Sequence, residues 1–120
     1  MTGFQSSVLK LVSRVPTGKV TTYRELARAI GNPGAYRAVG NILARNPTPL
    51  KIPCHRVVRA NGALGGYKLG RRLKERLLLE EGVEIKGGKV NLKKYFFHYS
   101  HSKKNVFPQA LSFNLSQMSR

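Results

Sequence analysis

The spacing of apolar residues predicts three helices in the first 45 residues of the chain. The first apolar stripe recurs at helical spacing and consists of Phe4, Val8, Leu11, Val12 and Val15. This period is typical of an amphipathic helix, and Pro16-Thr17-Gly18 is expected to end it. Thr22 and Glu25 have the spacing of a capping box, which predicts a second helix over 23–30. The breaker GNPG separates this helix from a third one over 35–45, which NPTP ends.

The rest of the chain predicts one further helix and short strands. The segment RVVR at 56–59 is typical of a strand, and the Asn-Gly pair that follows is a hairpin turn signal. A fourth helix is predicted over 71–81, where Gly82 stops it, and 83–92 predicts a small hairpin. Residues 95–120 show no clean period, so no structure is predicted for them. The predicted fold class is mainly α with a short β-hairpin.

The second and third helices are joined by a short turn that contains glycine, which indicates a helix-turn-helix. The third helix has an inward stripe of apolar residues, namely Ala38, Val39, Ile42 and Leu43. Its other side carries Arg37, Asn41 and Ala44, with Gly40 beside them. A cation followed by small residues suits a close approach to a nucleic-acid backbone. Helix pairs of this kind occur in many folds, however, so this pattern alone does not decide for DNA binding.

The charge distribution favours a polyanionic partner. The chain carries 22 Lys and Arg against five Asp and Glu, a net charge of +17, and residues 26–74 contain no acid at all. A field of one sign is what nucleic-acid binding requires, although charge alone does not separate DNA from RNA or from a merely basic surface. No apolar run reaches the roughly 18 residues of a membrane span. The N-terminus lacks an apolar signal core, so an intracellular, cytoplasmic protein is expected.

The single cysteine, Cys54, is the candidate nucleophile. One cysteine excludes an internal disulfide and a multi-cysteine zinc site. Pro53 stiffens the backbone before it, and the cations of His55 and Arg56 after it favour the thiolate, which is the nucleophilic form. A buried structural cysteine is the alternative. Because neighbours in a strand point to opposite faces, a Cys54–His55 contact needs a turn or a bridging water.

A carboxylate in the fourth helix could complete a relay with these two residues. Leu73, Leu77 and Glu81 are spaced by four, which puts Glu81 on the apolar stripe, where a carboxylate is costly unless it is paired. Glu80 borders the same stripe, so the spacing does not choose between the two acids. A Cys–His–Glu relay would use the buried charge and activate the thiol. The alternative is a solvated acid pair at the end of the helix.

Six motifs in order over residues 3–94 resemble the catalytic domain of the methylated-DNA–protein-cysteine methyltransferases, the O6-alkylguanine-DNA alkyltransferases. They are TTYRELA, GNPGAYRAVG, RNPTP, PCHRVV, GALGGY and LLLEEG. The resemblance implies a winged-helix-like helix-turn-helix domain over 1–94, without the N-terminal domain of most relatives, and a C-terminal extension over 95–120. It implies that a monomer flips an alkylated guanine out of double-stranded DNA and moves the alkyl group irreversibly onto its own cysteine. No metal or cofactor is expected, and the location would be cytoplasmic, or nuclear in a eukaryote.

The resemblance also implies roles for individual residues. Cys54 would accept the alkyl group, His55 would act as a base through a water, and Glu81 would orient the imidazole. The expected substrate-binding residues are Tyr23, Asn46, Pro49, Val57, Tyr67 and Lys68. The expected DNA-binding residues are Tyr23, Arg37, Gly40, Asn41, Ala44, Arg45 and Arg56. Arg37 would fill the space that the flipped base leaves, and the backbone amide of Lys68 would donate to O6.

Each of these residues also has a structural interpretation. Tyr23 could be a core aromatic, Asn46 a helix C-cap, Tyr67 a loop aromatic packed on the hairpin, and Arg37 an ordinary phosphate contact. The position of Lys68 varies among relatives, so its side chain is expected to influence which alkyl groups fit. The main rival function is a non-catalytic sensor of alkylguanine, but proteins of that kind usually replace the cysteine with tryptophan. A Cys–His hydrolase is a weaker rival, because no oxyanion-hole motif is evident.

Overall fold

Helices make up most of the regular structure in residues 3–99, which are the part of the chain that the computed structural model describes. The helices are α1 (Gly3–Ser13), α2 (Tyr23–Ile30), α3 (Tyr36–Ala44), α4 (Arg71–Glu80) and α5 (Leu92–Tyr95). The strands are β1 (Thr21–Thr22), β2 (Val57–Val58), β3 (Ile85–Lys86) and β4 (Lys89–Val90). Two 3-10 turns lie at Pro33–Ala35 and Cys54–Arg56. The mainly helical fold with a short hairpin, β3–β4, confirms the predicted fold class.

The start and end of α2 follow from its capping residues. Thr22 Oγ1 accepts a hydrogen bond from the backbone N–H of Glu25 at 3.0 Å, so half of the predicted capping box forms. The Glu25 carboxylate does not complete that box, because it pairs with Arg28 at 2.7 Å and accepts from the Tyr99 N–H at 3.0 Å. Gly31 ends the helix in the left-handed conformation with a φ of +95°. The chain then turns through Pro33–Ala35 into α3, which completes the helix-turn-helix.

The third helix presents a narrower apolar face than its sequence predicts. Val39 and Leu43 are buried and Ile42 is half-buried, as expected, but Ala38 is exposed, so its place on the inward stripe is wrong. Val39 and Leu43 are spaced by four residues and share the face that packs in the cluster with α1 and α2, and Ala38 is turned away from that face by the helical period. Ala38 therefore lies with the small residues of the outer face.

A short parallel pairing joins two segments far apart in sequence. Thr21 pairs with Val57 and Thr22 with Val58 in β1 and β2. The predicted strand over 56–59 is shorter than expected, because Arg56 belongs to the 3-10 turn that precedes it. The 3-10 turn Cys54–Arg56, called the cysteine turn below, ends directly before β2, and α2 begins directly after β1. The pairing therefore brings the start of α2 beside Cys54.

The apolar interior consists of two clusters on either side of this pairing. The first packs α1, α2 and α3 against the cysteine turn, and its buried residues are Val8, Leu9, Leu11, Val12, Val15, Leu26, Ala27, Val39, Leu43, Cys54, Val57 and Tyr99. The second joins α4 to the hairpin and consists of Val20, Val58, Leu64, Leu78, Val83, Val90 and Tyr95. Cys54 is thus attached to the core on one side, while α4 supports it from the other.

Residues 95–99, for which the sequence predicts no structure, pack beside Val20, the residue directly before β1. The N–H of Val20 donates to the Tyr95 carbonyl at 2.9 Å, and the N–H of Phe97 donates to the Val20 carbonyl at 2.7 Å. The Tyr99 hydroxyl, which is buried, donates to the Leu11 carbonyl. The domain boundary after residue 94 and the extension to 120 stay predictions, because residues 100–120 lie outside the described part of the chain.

Gly62 lies very close to the backbone of Val90 in the hairpin, and a substitution there tests this close approach. Its φ is +90°, and a Cβ built there would lie 2.5 Å from the Val90 carbonyl oxygen. Gly31 has a similar φ of +95° but nothing within 4 Å of such a Cβ. Gly31→Ala should lower the free energy of unfolding by about 1–2 kcal/mol for the left-handed backbone alone. Gly62→Ala should cost clearly more in urea denaturation, and equal losses would contradict the close approach.

Candidate active site

Cys54 lies in a turn and not in a strand, so its side chain can lie on the same side of the backbone as that of His55. Pro53 has a φ of −78° and precedes the 3-10 turn Cys54–Arg56. The N–H of Cys54 donates to the Ile52 carbonyl at 2.7 Å, which tightens the chain at this point. Because the backbone is not extended here, Cys54 and His55 are not forced to opposite faces as they would be in a strand. Both residues are buried, with exposed fractions of 4% and 3%.

The structure places Glu81, and not Glu80, beside the histidine. Glu81 Oε2 lies 2.9 Å from His55 Nε2. Glu80 is exposed on the other side of α4 and pairs with Arg76 at 3.3 Å. Glu81 occupies the C-terminal end of α4, where Gly82 turns the chain away in the left-handed conformation with a φ of +93°. Of the two acids that the spacing leaves open, Glu81 is therefore the one that contacts the cysteine turn.

Arg56 holds the other side of the same carboxylate. Its Nε donates to Glu81 Oε1 at 2.9 Å and its Nη2 donates to Glu81 Oε2 at 2.7 Å. The same guanidinium also donates to the Val15 carbonyl at 2.8 Å and to Thr17 Oγ1 at 3.0 Å. The expectation that Arg56 binds DNA is not supported by this placement, because every nitrogen of its guanidinium is engaged within the protein. It connects α1, the cysteine turn and α4.

Burial and these partners set the protonation states of the relay. Burial alone would raise the pKa of Glu81, but the hydrogen bonds from Arg56 and His55 outweigh it and lower that pKa, so Glu81 is a carboxylate. Burial also lowers the pKa of His55, against the opposing effect of Glu81. The resting imidazole is therefore neutral near pH 7. With Nε2 bonded to Glu81, the buried Nδ1 has no hydrogen-bond partner within residues 3–99.

The thiol of Cys54 is less acidic than its basic neighbours suggest. Burial raises its pKa, and this effect exceeds the lowering by the Asn46 side chain and by the charges of Lys74 and Lys68. Nearby cations do favour the thiolate, but they are Lys74 and Lys68 rather than His55 and Arg56, and burial outweighs them in the free protein. Its chemistry needs a base that takes the proton when substrate arrives, and a neutral imidazole on the next residue meets that need.

A pocket of about 260 Å³ opens onto the sulfur. Its lining residues are Tyr23, Gly40, Leu43, Ala44, Cys54, Gly66, Tyr67 and Lys68. The structure thus brings together side chains that lie 45 positions apart in sequence (Tyr23 and Lys68) around one reactive atom. The ring of Tyr67 meets that of His55 edge to face with 6.3 Å between centroids. Tyr67 therefore lies at the site rather than on the hairpin.

Asn46, Pro49 and Val57 support the pocket from behind instead of lining it. Asn46 is fully buried, and its Nδ2 donates to the Ile52 carbonyl at 3.0 Å, which ties the end of α3 to the cysteine turn. The Pro49 carbonyl lies 3.9 Å from Cys54 Sγ. The Asn46 carbonyl accepts a hydrogen bond from Lys68 Nζ at 2.8 Å. These contacts fix the loop that joins α3 to the sulfur.

Lys74 is a buried residue behind the pocket that the sequence prediction missed. It is fully buried, and its Nζ donates to the Val57 carbonyl at 2.7 Å and to the Gly66 carbonyl at 3.0 Å. It lies 5.9 Å from the centroid of the Tyr23 ring, and burial lowers its pKa to about 7. Lys74 precedes Leu78 by four residues on the buried face of α4, and that spacing is the signal that could have identified it.

A second, wider groove of about 530 Å³ adjoins the pocket and shares Tyr23, Gly40 and Gly66 with it. Its other lining residues are Arg24, Tyr36, Arg37, Arg59 and Ala60. Arg37, Asn41, Ala44 and Arg45 are exposed along α3, as the sequence predicts. Arg24 and Arg59 were not among the expected binding residues, although Arg59 lies in the segment without acids. The groove is cationic, and it adjoins the pocket that Cys54 lines.

Two general features of residues 3–99 bear on the class of protein. No helix in this range is long and apolar enough to cross a membrane. No group of three or more His, Cys, Asp or Glu side chains in the same range could hold a metal ion.

Comparisons with known proteins agree with this geometry. Residues 3–83 match the family described as "6-O-methylguanine DNA methyltransferase, DNA binding domain". A methylated-DNA–protein-cysteine methyltransferase of Methanothermobacter thermautotrophicus is 49% identical over 86 residues, which cover 72% of this chain and 48% of the relative. The chain spans between 31% and 54% of the length of the first three curated relatives that it matches.

Solved structures show the same relationship. S. pombe Atl1, in complex with damaged DNA containing O6-carboxymethylguanine, superimposes with a TM-score of 0.75 at 33% identity, covering 82% of this chain and 98% of Atl1. Mycobacterium tuberculosis OGT in complex with DNA gives a TM-score of 0.65 at 44% identity, covering 68% of this chain and 50% of that one. Sequence, fold and pocket agree, and the chain belongs to the 6-O-methylguanine DNA methyltransferase DNA-binding-domain family.

Proposed function

We propose that this protein repairs DNA by moving an alkyl group from O6 of guanine in duplex DNA to Cys54, once per molecule. The observation that carries the proposal is the buried thiol in a pocket, next to a histidine whose other nitrogen is held by Glu81. A thiol that served only the core would need neither a pocket nor an adjacent base. The relatives bound to DNA and the cationic groove beside the pocket support DNA as the substrate.

The proposed reaction begins from a thiol and a neutral imidazole. His55 Nδ1 takes the proton of Cys54 through a water, and the Glu81 carboxylate, which Arg56 holds in place, stabilises the imidazolium that forms. The sulfur then forms a bond to the alkyl carbon while the bond between that carbon and O6 breaks, and the electron pair returns to the guanine. The thioether has no route back to a thiol, so each molecule reacts once. The alkylated base is itself the donor, so no metal or cofactor takes part.

The guanine has to leave the base stack before the thiol can reach it, because O6 is inaccessible inside a duplex. Arg37 is exposed on α3 at the groove beside the pocket, where it would occupy the space that the base leaves. Gly40 lines both the pocket and the groove, and its lack of a side chain leaves room for the DNA there. Asn41, Ala44 and Arg45 would contact the DNA along the same helix.

Within the pocket, Tyr23 would donate toward the guanine N3, and the backbone amide of Lys68 would donate toward O6. The Val57 carbonyl would accept from the guanine amino group. That carbonyl already accepts from Lys74 Nζ at 2.7 Å, but a carbonyl oxygen has two lone pairs and can accept a second hydrogen bond. Asn46 and Pro49 would fix the wall behind the base. A protein that acts on the chromosome would work in the cytoplasm of a prokaryote or the nucleus of a eukaryote.

Intact mass spectrometry tests the proposal directly. After incubation with a duplex that contains one O6-methylguanine, the protein should gain one methyl group on Cys54, whereas the same duplex with guanine should leave its mass unchanged. Cys54→Ala should abolish the gain but keep DNA affinity, because binding depends on backbone contacts and the cationic groove. That affinity should fall steeply with salt as counterions are released.

A non-catalytic sensor is the second candidate, since likeness to a protein bound to damaged DNA fits a binder as well as a transferase. Tight binding to alkylated DNA without any mass gain would favour the sensor. Loss of all DNA binding in a folded Cys54→Ala variant would count against both candidate functions, because the transferase and the sensor both bind DNA at the cationic groove.

The two neighbouring acids of α4 provide a matched test of the relay. Glu81→Gln removes the charge that orients His55 and stabilises its protonated form, so transfer should slow by about 10- to 100-fold. Glu80→Gln should change the rate by less than about twofold, because Glu80 is exposed and pairs with Arg76 on the surface. Single-turnover rates on the methylated duplex measure both. Similar effects of the two substitutions would contradict the relay.

Substitutions of Arg37 test whether this residue supports base flipping or only DNA binding. Arg37→Ala should slow transfer from duplex DNA much more than transfer from free O6-benzylguanine, which needs no flipping. The guanidinium stacks and hydrogen-bonds in the vacated space, so Arg37→Lys should restore only part of the duplex rate. The measurement is the single-turnover rate at saturating DNA. Full recovery of the Arg37→Ala rate at saturation would show that Arg37 is an ordinary phosphate contact.

A further inference from the structure

A further cleft, of about 460 Å³, lies between the start of α2 and the short helix α5. This α5 cleft shares Arg24 and Ala60 with the cationic groove, so the two cavities adjoin each other at these residues. The groove in turn shares Tyr23 with the pocket that Cys54 lines. The three cavities therefore follow one another along the surface. The proposed transfer uses the pocket and the groove, and it leaves the α5 cleft without a role.

The α5 cleft combines apolar surface with cations at its edge. Leu92 and Phe96 are half-buried and provide the apolar surface, whereas Arg24 and Lys93 are exposed. The backbone of DNA has the complementary character, because its deoxyribose rings pack against apolar groups and its phosphates bind Lys and Arg. The lining of the cleft therefore suits a sugar-phosphate backbone.

The acidic residue that lines the α5 cleft, Glu25, has its charge offset within the protein. Glu25 Oε2 accepts from Arg28 Nη2 at 2.7 Å and from the Tyr99 N–H at 3.0 Å. Arg28 also donates to the Tyr99 carbonyl at 3.2 Å. Because Arg28 balances the carboxylate, the charges of Arg24 and Lys93 set the field in the cleft, and that field is positive.

The wall of the α5 cleft is held in place by contacts within the protein. Backbone hydrogen bonds join residues 95–97 to Val20 and fix the position of Phe96 between them. The Asn91 side chain accepts from the Lys93 N–H at 3.0 Å and caps the helix that carries Lys93. A wall that is already ordered lowers the entropy cost of binding a ligand against it.

We propose that the α5 cleft binds the DNA backbone on one side of the lesion, with Lys93 and Arg24 as its phosphate contacts. This inference rests on the proposed function, because the guanine that enters the pocket fixes where the duplex lies in the groove. Continuity with the groove and the positive field favour the same duplex as the occupant over an acidic protein segment. The contact lengthens the DNA footprint and reads no base sequence.

The test measures how DNA affinity depends on duplex length on each side of the lesion. Every protein carries Cys54→Ala, so that no transfer removes the lesion during an equilibrium titration. A short duplex centred on O6-methylguanine is compared with two longer duplexes, each extended by half a helical turn on one side only. One of the two extensions should raise the affinity by about three- to fivefold at low salt, the size of an exposed ion pair or two.

Lys93→Met should remove this gain and lower the salt dependence on the extended duplex by about one unit of the log–log slope. Lys10→Met is the matched control, since Lys10 is exposed on α1, which contributes no described residue to the lining of the three cavities. It should leave the gain unchanged. Arg24→Met should also weaken binding to the short duplex, because Arg24 lines the groove as well.

Equal affinity for the short duplex and both extensions would overturn the proposal and favour an acidic protein segment as the occupant. A gain that survives Lys93→Met, or that Lys10→Met removes to the same extent, would overturn it too. The proposed function is tested separately by the methyl gain of the chain with Cys54 intact on the short duplex. Methyl gain without a length effect would reject the cleft alone, whereas absence of binding to all three duplexes would contradict the proposed function.

Discussion

The carboxylate of Glu81 is the group on which the rest of the site depends. It accepts from Arg56 on one side and contacts His55 on the other, and Arg56 in turn donates to the Val15 carbonyl after α1. A half-buried carboxylate without such partners would be costly, so the end of α4, the cysteine turn and the end of α1 have to come together. The contact that orients the imidazole is therefore also a contact that holds the domain together.

Two buried polar side chains, Asn46 and Lys74, hold together the segments that surround the pocket. Asn46 ties the end of α3 to the segment before Cys54, and Lys74 ties β2 to the loop that carries Tyr67. Both satisfy backbone carbonyls that strands or helices would satisfy elsewhere. The loops around the sulfur can therefore stay irregular and close to it, and the pocket lies beside the cationic groove.

The sequence predicts helices well and the tertiary contacts of polar residues poorly. Local signals such as the Thr22 cap and Gly82 are sufficient to place α2 and the end of α4. The two-residue pairing of β1 with β2 has no local signal, because it depends on contacts between residues 36 positions apart. Arg56 and Lys74 look like surface cations in the sequence. Only the fold shows that Glu81 and two carbonyls bind them in the interior.

Nitrogen-15 NMR of His55 tests most directly whether Glu81 fixes the imidazole for proton transfer. Because Nε2 lies 2.9 Å from Glu81 and burial lowers the pKa of His55, the ring near pH 7 should be neutral, with its proton on Nε2 and none on Nδ1. The Glu81→Gln variant should weaken that preference. A proton on Nδ1, or an imidazolium that persists above pH 7, would contradict the account of how Cys54 is activated.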